Sequence, residues 1–180
     1  SNELKAQGVD VINMSVGEPD FNTPEHIKEA AKQAIDDNFS RYSPVPGYPA
    51  LRNAIVAKLK NENGLDYTPA QISCANGAKQ SVCNVVMALV NEGDEVIVPA
   101  PYWVSYPEMV LMANGTPVIV AAGIEQDFKI TAEQLEATIT DKTKALILCS
   151  PSNPTGSVYS REELAALAAV LERHPQVYVI

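Results

Sequence analysis

The amino-acid sequence predicts an α/β protein, with a mostly parallel sheet covered by helices on both faces. Three observations lead there. Short, mostly apolar runs recur at residues 72–75, 94–99, 116–121, 144–149 and 177–180. Segments with helical spacing separate them, at 78–90, 106–113, 131–139 and 161–173. Runs with consecutive apolar residues, rather than strict alternation, belong to strands buried on both sides, and intervening helices are what parallel connections require. The composition, 46% apolar and 19% charged over 180 residues, is that of an ordinary globular chain with a real core.

The elements follow in order. Residues 1–20 read as an extended lead-in with a short apolar stretch at 9–16, then the turn Gly17–Glu18–Pro19–Asp20. We expect this lead-in to belong with a smaller domain or an interface, and residues 21–180 to form a larger domain that is incomplete. Thr23–Pro24 is a helix start, a cap followed by a first-turn proline, and helical spacing runs from Glu25 to Asp37. A proline-rich loop spans 40–49, and a second helix runs from about Ala50 to Asn61, ending at Gly64. Strands and helices then alternate, with Thr131 as a cap. There is no internal repeat and no low-complexity linker. The apolar run 176–180 has no turn after it, so the chain is expected to be the first part of a longer one.

Charge and spacing exclude several functions. A net charge of −9 without a Lys/Arg cluster argues against a nucleic-acid or anionic-membrane partner. No apolar run is long enough to span a bilayer, and the start is not a signal peptide. The three cysteines lack CxxC spacing, so buried thiols in a reducing cytoplasm are expected. His26 and His174 have no partners at metal-ligand spacing, and no metal site is expected.

Chemistry is sought at the carboxyl ends of the strands, where open α/β sheets collect ligands. After 72–75 comes Asn76–Gly77–Ala78–Lys79, a small-residue turn opening a helix. Its unpaired N–H groups and the positive end of the helix dipole favour a phosphate, although the same residues also suit a plain helix cap. The run is neither GxGxxG nor GxxxxGK[ST], which disfavours nucleotides. After 94–99 comes Pro101–Tyr102–Trp103, an aromatic pair that could be core or a stacking platform. After 144–149 comes Ser150–Pro151–Ser152–Asn153–Pro154–Thr155–Gly156. There Asn153 could be turn chemistry, or an amide whose direction is fixed by an Asn–Pro bond held in cis. Together the three loops could hold a planar, phosphorylated ligand.

With those loops in hand, the chain resembles the fold-type I pyridoxal-phosphate aminotransferases, and among them the prokaryotic aspartate group. The resemblance is carried by Val16–Gly17–Glu18–Pro19–Asp20–Phe21, by Arg41–Tyr42–Ser43–Pro44 through Gly47 to Leu51–Arg52, and by the three loops above, over nearly the whole chain. It implies pyridoxal 5'-phosphate as cofactor, amino acid and 2-oxo acid substrates, and a homodimer. It implies that Gly77, Ala78 and Lys79 form the phosphate turn, that Trp103 stacks on the ring, and that Asn153 meets the ring's phenolic oxygen. Gly17 would lie against the substrate's α-carboxylate. Tyr42 would reach the phosphate in the partner subunit's site. Lys79 would also face a distal substrate carboxylate, favouring aspartate, with Trp103 and Asn153 bordering the same substrate.

In such a family the Schiff-base lysine, an Asp for the pyridine nitrogen and an Arg for the α-carboxylate all come after the Asn153 motif. No catalytic residue is therefore expected within residues 1–180, and this chain is expected to be inactive alone. The alternatives are a β-lyase, an aromatic or alanine aminotransferase, and a non-enzymatic regulator domain on the same fold.

Overall fold

The computed structural model describes residues 2–12, 17 and 19–180. The apolar stretch at 9–16 is thus covered only in part, and Glu18, read as a loop carboxylate, lies outside the described residues. The chain divides into two compact units, Ser1–Pro44 and Val45–Ile180.

In the first unit, the lead-in is not extended throughout, because α1 spans Asn2–Ala6. Helix α2 is Glu25–Asp36. Pro24 occupies its N-cap position with an extended backbone, one step earlier than the first turn. No residue of α2 is buried, and its surface carries the i,i+3 pairs Lys28–Glu25 and Lys32–Glu29.

The second unit opens with α3, Pro49–Asn63, started by a first-turn proline and stopped by Gly64 in the left-handed region at φ 68°. The N–H groups of Gly64 and Leu65 return to the carbonyls of Lys60 and Leu59, which closes the helix end. A short 3₁₀ turn, Pro69–Gln71, follows. Residues 72–75, expected as a strand, join no ladder among the described residues. Ile72 is extended, but the Cys74 N–H goes to the Pro46 carbonyl instead of to a strand. Then come α4 (Ala78–Leu89), β1 (Glu95–Ala100), α5 (Ser105–Met112), β2 (Thr116–Ala121), a 3₁₀ turn (Ile124–Gln126), α6 (Ala132–Thr138), β3 (Thr143–Leu146), α7 (Arg161–Leu171) and β4 (Tyr178–Val179).

The four strands are all parallel, in the order β2-β1-β3-β4. Beyond β3 the pairing continues for two bonds, Ile147 N–H to Ile97 O at 3.0 Å and Leu148 N–H to Ile180 O at 2.8 Å. Alternate residues of β1 feed opposite cores, as the pleat demands. Val96 and Val98 pack with Val86 of α4 and Val110 of α5, while Ile97 packs with Leu135 of α6 and Leu167 of α7. Both faces are therefore covered, and the expected fold class holds. Where α5 leads from β1 to β2 on one side, the chain returns to place β3 on the other. The strand order reverses between β1 and β3, and a crevice opens beyond their carboxyl ends.

The expectation of buried thiols is corrected. Cys74, Cys83 and Cys149 form no disulfide and are only half-buried, Cys83 at the edge of the α4 core. His174 pairs with Glu136, its Nε2 lying 3.0 Å from Glu136 Oε1. Among the described residues no His/Cys/Asp/Glu cluster could hold a metal, and no helix is long and apolar enough to cross a membrane.

The candidate site at the strand ends

The turn before α4 is built by Gly77, whose backbone sits at φ 86°, ψ 161°, a region open in practice only to glycine. A Cβ there would meet nothing within 4 Å, so the front of the turn faces open space. Two of its donors are already used. The Asn76 N–H goes to the Gln80 side chain at 2.6 Å, and the Gly77 N–H goes to Ala75 O at 2.9 Å. The N–H groups of Ala78 and Lys79, in the first turn of a helix, have no intrahelical acceptor and remain for an anion. Gly77 thus contributes the conformation of the turn, and its two successors contribute the donors.

Lys79 is exposed, and its Nζ stands 4.7 Å from the centroid of the Trp103 ring. A cation gains nothing from a helix N-terminus, but the π face of an indole attracts it. This contact joins the phosphate turn to the loop after β1. Trp103 in turn meets Tyr106 edge-on, with centroids 5.5 Å apart and planes at 88°. Burial, first, and the neighbouring Cys149 thiol push the Tyr106 phenol up to about 12. It therefore stays a neutral hydrogen-bond donor.

Asn153 sits on the loop after β3. The Asn153–Pro154 bond is cis, as are Ser150–Pro151 and, in the facing loop, Ala100–Pro101. The loop closes on itself through Ser152 N–H to Ser157 O at 2.9 Å and Gly156 N–H to Ser152 O at 2.8 Å. Asn153 is exposed at the rim of the crevice, whose walls include Tyr102 and Tyr106 from one side and Cys149 and Ser152 from the other. Tyr42 and Gly17 belong to the Ser1–Pro44 unit, where both are exposed.

Tyr106 was not among the residues singled out from the sequence. Its spacing from Trp103, three residues across a helix start, is the signal that would have found it. Phe128, which also walls the crevice, follows β2 in a loop without any such signal. A helix end with free donors, a glycine open to solvent, a half-buried indole and an exposed amide fit a flat, phosphorylated ring.

Known proteins match the chain over nearly its whole length. Residues 9–180 match the family model described as aminotransferase class I and II. An aspartate/prephenate aminotransferase of Cereibacter sphaeroides is 60% identical over 178 residues, covering 99% of this chain and 44% of that protein. A crystal structure of the aspartate aminotransferase from Rhizobium meliloti superposes with a TM-score of 0.92 at 46% identity, covering 99% of this chain and 44% of that one. The Thermus thermophilus aspartate aminotransferase with maleate gives the same TM-score, 0.92, at 47% identity, with 99% and 46% covered. The chain thus spans less than half the length of the proteins it matches.

Proposed function

As the chain belongs to the class I and II aminotransferase family, we propose that it serves pyridoxal-phosphate-dependent transamination between aspartate and a 2-oxo acid. The observation that supports this reading is a chain of contacts: Lys79, opening α4, lies over the Trp103 ring, Trp103 meets Tyr106, and Tyr106 walls the crevice that Asn153 borders.

The roles follow from the groups present. Ala78 and Lys79 would donate their backbone N–H groups to the cofactor phosphate, with Gly77 shaping the approach. Trp103 would lie against the ring and exclude water from one face. Asn153 would donate its side-chain N–H to the phenolic oxygen and hold the ring's orientation. When bound, the cofactor supplies an electron sink for the charge left on the substrate's α-carbon after deprotonation. Tyr42 would complete the phosphate site of the partner subunit in a homodimer, and Gly17 would leave room for the α-carboxylate. Residues 1–20 would then belong with a smaller domain, and a cytoplasmic setting suits the three unpaired thiols.

Lys79 would supply the charge for a distal carboxylate. The Cereibacter relative is named for prephenate as well as aspartate. Both compounds carry a carboxylate remote from the reacting carbon, and one cation could serve either. In the complete enzyme, Lys79→Ala should raise KM for aspartate by about tenfold, the scale of one lost charge-assisted hydrogen bond, while KM for a neutral amino acid barely moves. An unchanged aspartate KM removes Lys79 from recognition.

The lysine that links to the cofactor and moves the proton would lie outside residues 1–180, so this chain alone would not transaminate. Borohydride reduction of the purified chain with pyridoxal phosphate should fix the cofactor to no single lysine. Specific labelling of one lysine would refute that part of the reading.

A further inference from the structure

Between β2 and α6 the chain passes through two successive non-glycine residues with left-handed backbone, Asp127 at φ 52° and Phe128 at φ 57°. For a residue as bulky as phenylalanine this is an outlier that persists only where the surroundings hold it. Lys129 holds it. Its side chain is only 15% exposed, and its Nζ lies 3.3 Å from Asp127 Oδ2 and 2.8 Å from Glu163 Oε1 in the first turn of α7. The same ammonium donates to the Val158 carbonyl at 3.4 Å, just beyond the Asn153 loop. Two more bonds run between the same segments. Ser157 Oγ donates to Asp127 Oδ1 at 3.3 Å, and the Ile130 N–H donates to the buried Tyr159 hydroxyl at 2.9 Å. Phe128, presented by this turn, shares the crevice wall with Asn153. The Asn153 amide itself has no hydrogen-bond partner among the described residues, so the loop that carries it is what places it at the crevice.

We propose that Lys129 is a positioning residue: by tying Val158 and the Asp127–Phe128 turn to α7, it fixes the loop from which Asn153 meets the cofactor ring. The inference rests on the reading of Asn153 as a cofactor contact. The Glu163 hydrogen bond keeps the Lys129 ammonium above its ordinary range, and Lys129 keeps the Glu163 carboxyl below its own, so the hub is charged around neutrality. A purely structural ion pair is available for comparison. Glu136 of α6 binds Arg173 and His174 at the opposite end of α7.

Trp103 is the chain's one tryptophan, and its quenching reports pyridoxal phosphate binding directly. Asn153→Ala and Lys129→Met should each weaken binding about fivefold, and the double variant should bind no worse than Asn153→Ala within about 1.5-fold, since both act through one contact. Lys129→Arg should restore binding. Ser157→Ala, which leaves no buried charge unpaired, should show a smaller loss that also vanishes beside Asn153→Ala. Glu136→Gln should lower the Tm while binding as the wild type does. Wild-type affinity in Lys129→Met, or a loss that multiplies in full with that of Asn153→Ala, overturns the positioning role. A wild-type chain that is not quenched, or an Asn153→Ala variant that binds normally, removes the cofactor contact, and the proposal falls with it.

Discussion

At Tyr106 a phenol touches an indole on one side and a thiol on the other, and its proton is held more tightly than in water. The folded pKa stands at about 12 against an ordinary 10.0. The folded state therefore keeps a proton that the unfolded chain releases. The stabilisation is complete below about pH 10 and is lost as pH rises from about 10 towards 12. Tyr106→Phe has no proton to lose, so its urea midpoint should fall less steeply across that window than the wild type's. Parallel curves would mean that other tyrosines and lysines cause the alkaline loss. The neighbouring residues differ in how legible they were. Lys79, Trp103 and Asn153 stand at or beside turns whose composition drew attention in the sequence, whereas Tyr106 and Phe128 are ordinary apolar-element residues there. Only the fold brings those two to the same crevice, and a left-handed phenylalanine has no signature in one sequence.

Among the elements, helix ends with a polar cap are where local sequence decides most. Thr131 accepts the Gln134 N–H at 3.2 Å while the Gln134 side chain returns to the Thr131 N–H at 2.9 Å. Ser160 and Glu163 repeat the device at the start of α7, with 3.1 Å and 2.6 Å. Each reciprocal pair satisfies two donors that the helix cannot. Thr131→Ala and Ser160→Ala should each cost about 1 kcal/mol, read as a shift of the urea midpoint at constant slope. Because Glu163 also binds Lys129, the Ser160 change should be the less separable of the two. The Thr131 cap and the glycine stop of α3 were legible in the sequence, since their physics spans four residues, whereas the Ser160 cap was not singled out there. The 3₁₀ turns were missed because three residues set no period. Residues 72–75 were misjudged for a different reason. An apolar run states that a segment is extended, but pairing depends on a neighbour brought from elsewhere, and here the Cys74 N–H turns to Pro46.

For the whole molecule, periodicity was enough to give the fold class, because both faces of a parallel sheet must be buried and the sequence has no other use for such runs. Strand order was not legible, since nothing in one apolar run names its partner. That order bears on how quickly the native state is reached. β1, α5 and β2 are consecutive and adjacent, so they can assemble with only short-range closures. β3 reaches β1 only from much farther along the chain, as the Thr140 Oγ1 to Glu95 Oε2 bond across 45 positions illustrates. Long closures are the slow ones. Trimming Val98 or Val110, inside the early unit, should therefore reduce the refolding rate. Trimming Leu167 or Val170, on the later α7, should chiefly accelerate unfolding. A denaturant chevron distinguishes the two, and equal effects on both arms would mean the sheet condenses all at once. A reversal of strand order beside the centre of a sheet thus does more than open a crevice: it sets a sequence of events, in which the wall carrying Tyr102 and Tyr106 is in place before the wall carrying Cys149 and Ser152.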